Sequence, residues 1–193
     1  MKHILSIISA ALLLTLHSAA QSPAPKEKIH FTSNSSLAIL VGGSGEGANV
    51  QTINGIRYKK WSTGIGIGID WYGIRSIPLV LDVRRFFTDK KNTGFVYGNA
   101  GINFAWDDGY YNGYTNGAVE VRYKKAFCGE AGIGYRMQLK NKSALVFSTG
   151  FSYKEMGVTQ INYQGGVVPG YTKTTSSYEY YYRRIAVRVG LNF

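Results

Sequence analysis

Between residue 35 and the C-terminus, apolar and polar positions alternate with period two in one segment after another. Side chains of an extended strand point alternately to its two faces, so each such segment predicts a strand with one apolar and one polar side. In residues 180–193, Ile185, Val187, Val189, Leu191 and Phe193 fall on one side, and Arg184, Ala186, Arg188, Gly190 and Asn192 on the other. In residues 61–72 the two sides are Thr63, Ile65, Ile67, Ile69 and Trp71 against Ser62, Gly64, Gly66, Gly68 and Asp70. The Gly-Ile repeat in that segment superficially suggests a nucleotide-binding turn, but its period of two marks a strand. Read the same way, the sequence predicts eight strands, at residues 35–43, 49–58, 61–72, 77–87, 94–106, 126–139, 143–156 and 180–193.

The connections predicted between these strands alternate in length. Lys59-Lys60, residues 88–93 and Lys140-Asn141-Lys142 are short, whereas residues 42–47, 107–125 and 157–179 are longer and rich in Gly, Tyr, Asn, Ser and Thr. An even number of amphipathic strands about ten residues long, joined by short turns at one end and longer loops at the other, fits a membrane-spanning barrel. A water-soluble barrel of the lipocalin type also alternates, but its polar face meets solvent and favours Lys, Glu and Thr. Here the polar face is mostly Gly, Ser and Asn, the small residues that a narrow eight-stranded lumen demands. Trp61, Trp71, Phe87, Trp106, Phe127, Tyr181 and Phe193 border the apolar face, where aromatic residues suit the headgroup level. The expected fold is therefore all-β: an eight-stranded antiparallel up-and-down transmembrane β-barrel with short periplasmic turns and longer external loops.

The first residues add an address. Lys2 and His3 precede an apolar run from residue 4 to 16, and Ser18-Ala19-Ala20 offers small residues for cleavage. Residues 1–20 are thus expected to be a cleaved signal peptide, residues 21–34 a periplasmic lead-in before the first strand, and residues 35–193 the barrel domain. The net charge of +11 could invite nucleic acid. The lysines, however, sit in pairs at turns rather than along a stacking surface, so no nucleic-acid partner is expected and solvated turns are the main reading. The single cysteine, Cys128, excludes an internal disulfide and a Cys-rich metal site. Pointing into a crowded lumen, it reads as a packed thiol.

The signal peptide, the eight alternating strands and the terminal Val189-Gly190-Leu191-Asn192-Phe193 resemble the small bacterial outer-membrane barrels of the OmpX and OmpA-transmembrane type. Asn54-Gly55-Ile56-Arg57-Tyr58 and Gly64-Ile65-Gly66-Ile67-Gly68 resemble the second and third strands of such domains. The resemblance implies an outer-membrane location, outer-membrane lipids as surroundings, and barrel-assembly machinery as a partner during insertion. It also implies that Val189, Leu191 and Phe193 act as a C-terminal assembly signal. It leaves activity open, since this fold hosts structural, adhesive and enzymatic proteins.

Candidate chemistry is sparse. His3 and His17 fall within the signal peptide and His30 before the first predicted strand, so no histidine is expected on the barrel to act as a general base. No enzyme activity, cofactor or metal is expected. Two sets of residues merit testing. The first is a lumen charge network of Arg57, Asp70, Asp82, Arg84, Glu130, Arg136, Arg184 and Arg188, with Asp70, Asp82 and Glu130 as partners for Arg184 and Arg188. It reads either as an internal plug or as a narrow anion-preferring pore. The second is a group of external loop aromatics, Tyr110, Tyr111, Tyr114, Tyr171 and Tyr178, suited to contacting an unknown surface ligand.

Overall fold

The computed structural model describes residues 28–43, 45–106, 110–113, 117–139, 143–165 and 171–193. The described residues form ten strands: β1 (His30–Gly42), β2 (Gly45–Tyr58), β3 (Trp61–Tyr72), β4 (Ile74–Phe86), β5 (Thr93–Ala105), β6 (Tyr110–Gly113), β7 (Gly117–Lys124), β8 (Ala126–Gln138), β9 (Ala144–Gly165) and β10 (Tyr171–Asn192). Eight of them, β1 to β5 and β8 to β10, form an antiparallel ring in chain order, and β10 returns to pair with β1. The closing ladder runs from Asn34↔Asn192 to Val41↔Ile185, and Ser33 and Phe193 exchange backbone hydrogen bonds of 3.1 and 2.9 Å below it. Closure pairs each of the eight strands on both sides around the ring, so the ring has no edge strand.

The alternation predicted from sequence sets which way each side chain points. Leu81, Ile65, Ile133 and Val187 face outward at 65, 60, 59 and 61% exposure, while Asp82, Ala186 and Arg184 between or beside them are buried inside. All seven bordering aromatics lie on the outer surface. Trp61, Phe87 and Phe193 mark the short-turn end, and Trp71, Trp106, Phe127 and Tyr181 mark the opposite rim.

Several boundaries differ from the sequence reading. β1 starts at His30, five residues early, so His30 belongs to the barrel: it sits exposed on the first rung, opposite Arg57. The lead-in expected over residues 21–34 therefore gives way to strand within its last five residues, because residues 30–34 pair with Asn54, Gly55, Ile56 and their neighbours on β2. Pro78 lies five residues into β4, and the β3–β4 register skips the rungs beside it. Pro has no N–H to donate, and the ladder is interrupted at that point. The signal-peptide segment and the Lys140-Asn141-Lys142 turn lie outside the described residues.

The rim departs most. The loop expected over residues 42–47 is shorter: Gly42 belongs to β1 and pairs directly with Gly45, and residues 45–47 belong to β2. Only Gly73 separates β3 from β4; its φ is +85° and an added Cβ would meet the Tyr182 hydroxyl at 2.9 Å, so two separate constraints require glycine there. Conversely, residues 157–165 and 171–179, expected as loop, are strand. β9 and β10 are each 22 residues long, against 12 to 14 for β1 to β5, and they stay paired from Ala144↔Asn192 to Gly165↔Tyr171. At ~3.3 Å per residue the excess is roughly 30 Å of strand above the rim. β6 and β7 form a hairpin that joins this extension, β7 pairing with β9 from Gly117↔Gln164 to Lys124↔Gly157. A four-stranded wall, β10-β9-β7-β6, thus rises from one side of the barrel.

Candidate functional site

The lumen is built in layers from the inward positions of the eight strands. At the short-turn end Phe86, Phe95, Tyr97 and Val146 form an apolar plug, with the Phe86 and Phe95 ring centroids 5.4 Å apart. Gly134 makes the space for it, since an added Cβ would strike the Phe95 ring. At the rim end Leu40, Tyr72 and Ala186 form a second plug, backed by Tyr182. Between and around the plugs lie the ionic groups.

Among the described residues, three ion pairs are found in the lumen. Arg84 Nε donates to Asp82 Oδ1 at 2.8 Å. Arg188 donates to Glu130 Oε2 at 2.9 Å and to Asn49 Oδ1 at 2.8 Å, while the Tyr97 hydroxyl donates to Glu130 Oε1 at 2.6 Å. Lys154 Nζ donates to Asp70 Oδ1 at 2.8 Å and to the Ser76 hydroxyl at 2.6 Å, and Ser76 closes the triangle on Asp70. The Glu130 and Asp70 carboxylates are thus held by a counter-charge and by added hydrogen bonds, the condition under which buried ions are tolerated, whereas Asp82 has its arginine on Oδ1 and a buried Oδ2 without a hydrogen-bond partner.

Of the eight charged residues singled out in the sequence, all point inward, but they form local groups. Arg188 takes Glu130, as the sequence allowed. Arg184 does not take an ion-paired acid from that set: its guanidinium lies over the Tyr72 ring, 4.1 Å from the centroid, and near Tyr182, 5.6 Å away. Asp70 goes instead to Lys154 of β9, which is not among the eight. Arg57 stacks 4.0 Å over Phe86, and Arg136 donates to Lys91 carbonyl oxygen at 3.1 Å and to Asn192 Oδ1 at 3.3 Å, both near the short-turn end. The missed members, Lys154, Tyr72, Tyr97 and Ser76, all sit at inward positions of the alternation. Parity along each strand was the signal that could have found them.

Little space remains. The lumen holds cavities of about 40, 20 and 10 Å³, the largest lined by Asn49, Asp70, Glu130, Lys154 and Arg188 among others. A water needs ~10–15 Å³ measured this way, so these cavities fit from one to a few waters each. Cys128 is buried inside, as expected of a packed thiol.

The wall is the second candidate region. It carries the external aromatic set, with Tyr110, Tyr111 and Tyr171 on strands rather than loops; Tyr178 is 45% exposed on β10, and Tyr114 lies outside the described residues. Strand pairing fixes these residues in register, whereas a loop would have let them adapt. On β7 the Arg122 guanidinium and the Tyr163 hydroxyl both donate to Glu120, and the arginine bond above all holds that carboxyl below the usual glutamate range.

No family model matches the chain, and no curated protein matches it. Among solved structures it is similar to the translocator domain of the autotransporter NalP from Neisseria meningitidis, at 12% identity, covering 97% of this chain and 95% of that one, with a TM-score of 0.24. A likeness at that score carries no argument, and the barrel rests on its own ladders.

Proposed function

We propose that this chain is an integral outer-membrane β-barrel of the OmpX-like type, non-enzymatic, in which a sealed barrel anchors a projecting wall that makes contacts at the cell surface. The single observation that supports it is the outer face: Leu37, Ile39, Ile65, Ile67, Leu79, Leu81, Ile133, Phe147, Val187 and Val189 are all 42–65% exposed around a closed ring. Soluble monomers rarely expose contiguous apolar patches beyond a few hundred Å². A bilayer core flanked by the Trp, Tyr and Phe borders accounts for the belt and its edges together. The wall supports the surface role, since β10 pairs with β1 only at residues 185–192 and leaves its upper edge open among the described residues. An open strand edge is a binding element in itself.

The second reading is a narrow anion-preferring pore, favoured by the inward cations Arg57, Arg84, Arg136, Lys154, Arg184 and Arg188 against the acids Asp70, Asp82 and Glu130. The two plugs and the water-sized cavities weigh against it. Membrane fractionation of the expressed full chain, followed by bilayer recording, tests both. Recovery with outer membranes and no steady conductance is expected. Recovery in a soluble fraction would overturn the barrel reading, and anion-selective single-channel steps would replace the anchor with the pore. Replacing residues 110–123 and 159–177 by short turns should leave a foldable barrel that has lost its surface contacts. Unchanged binding to every surface the intact protein binds would end the contact role.

A further inference from the structure

The β7–β8 strand contains a register fault. β7 pairs with β9 up to Lys124↔Gly157, and β8 resumes at Cys128↔Lys154, so three residues, 125–127, face two, Glu155 and Met156. One extra residue in one strand is a β-bulge, a device that re-aims side chains. Strict alternation would send Lys124 and Lys125 to opposite faces. Here both line one groove on the outer surface, together with Phe127, Glu155, Glu179 and Tyr181, enclosing about 250 Å³. Lys124 runs against Gly157, where an added Cβ would meet its side chain at 3.2 Å, and Lys125 Nζ lies 5.2 Å over the Phe104 ring.

The groove has a defined level and a defined charge arrangement. Phe127 and Tyr153, with centroids 6.2 Å apart, belong to the aromatic border at the rim, so the lysines lie where lipid headgroups would begin. Across from them, Glu155 accepts from the Tyr153 hydroxyl at 3.0 Å and Glu179 from the Tyr181 hydroxyl at 2.8 Å. Among the described residues no ion pair within 4.0 Å joins either lysine to either glutamate. Two lysines and two glutamates therefore line one open volume with no ion pair between them among the described residues. That volume lies below the ~300–1,000 Å³ of drug-sized pockets and suits a small group.

We infer that this groove binds the headgroup of a surrounding outer-leaflet lipid in which a phosphate and a primary ammonium lie side by side. The phosphate meets Lys124 and Lys125, and the ammonium donates to Glu155 and Glu179. A headgroup with phosphate alone satisfies only the lysines, and a quaternary amine offers the glutamates no N–H. The inference rests on the membrane reading above.

The test uses the full chain refolded in detergent, with folding checked by heat-dependent gel migration. Bound phosphatidylethanolamine, phosphatidylglycerol or phosphatidylcholine is then counted by native mass spectrometry. Phosphatidylethanolamine should be retained about tenfold over phosphatidylcholine, the worth of one charge-assisted hydrogen bond. Lys124→Gln with Lys125→Gln should abolish retention of phosphatidylethanolamine and phosphatidylglycerol alike. Glu155→Gln with Glu179→Gln should erase only the preference for the primary amine. Equal retention of all three lipids, or a preference that survives both double variants, overturns the site while leaving a folded barrel intact. A chain that never folds in detergent or vesicles overturns the membrane reading and the site with it.

Discussion

The two sides of the rim are built by opposite rules. On the β1–β4 side the strands stop at the rim, joined by the direct Gly42–Gly45 pairing and by Gly73. On the β9–β10 side two 22-residue strands continue past it and recruit the β6–β7 hairpin. Below the rim both sides share one pattern, apolar outside and, inside, polar or small residues between two apolar plugs. Above it the wall is polar on both faces over stretches such as Thr172 to Ser177. The difference shows what each part depends on. The barrel presents an apolar outer face over internal charge pairs, whereas the wall rests on backbone ladders and exposed polar side chains.

That contrast can be broken in order of expected effect. Arg188→Ala strands the Glu130 carboxylate inside the barrel and should cost about 3–5 kcal/mol in denaturant unfolding of the refolded protein. Arg122→Ala removes the wall pair with Glu120, whose arginine side chain is 65% exposed, and should cost under ~1 kcal/mol. Equal costs would erase the distinction between lumen and wall. Ile67→Arg on the outer belt should lose about 2–4 kcal/mol in vesicles if it meets mid-bilayer lipid. Thr175→Arg on the wall should be neutral within ~0.5 kcal/mol.

Gly73→Ala, at φ +85° and under the Tyr182 hydroxyl, should cost about 1–2 kcal/mol. Gly157→Ala on β9 has ordinary backbone geometry, with only the flexible Lys124 side chain to displace, and should cost less. The smallest effect concerns acid. The lowered Glu120 carboxyl contributes stability that is present above its ordinary range near ~4.3 and is lost as pH falls through its depressed value. Hydrogen exchange at Val121 should therefore quicken in that acid window and stop doing so in Glu120→Gln. The lumen rungs should not respond to that variant.

Inside-outside assignment was legible in the sequence because period-two alternation is a local property. It placed Asp82, Arg84, Glu130 and Arg188 inside and Ile65, Leu81 and Val187 outside. What escaped depends on non-local pairing. Residues 157–179 carry Gly, Thr, Ser and Tyr on both faces, so no apolar stripe announces a strand, and only pairing between β9 and β10 reveals one. His30 and its neighbours likewise become strand because β2 is long enough to pair them. The lumen network was legible as a set but not as partners, since Lys154 reaches Asp70 from a strand 84 residues away. The bulge at Lys125 is a difference of one residue between two ladders, which no single segment shows.

The proposed arrangement puts the Ile67 level against lipid and the Thr175 level outside the cell. In a Cys128→Ala background, single cysteines at these two positions can be labelled on intact cells with a membrane-impermeant maleimide. Rapid labelling is expected at Thr175→Cys and none at Ile67→Cys, with the latter reacting only to a lipid-soluble reagent. Labelling of Ile67→Cys by the impermeant reagent, or protection of Thr175→Cys, would contradict it.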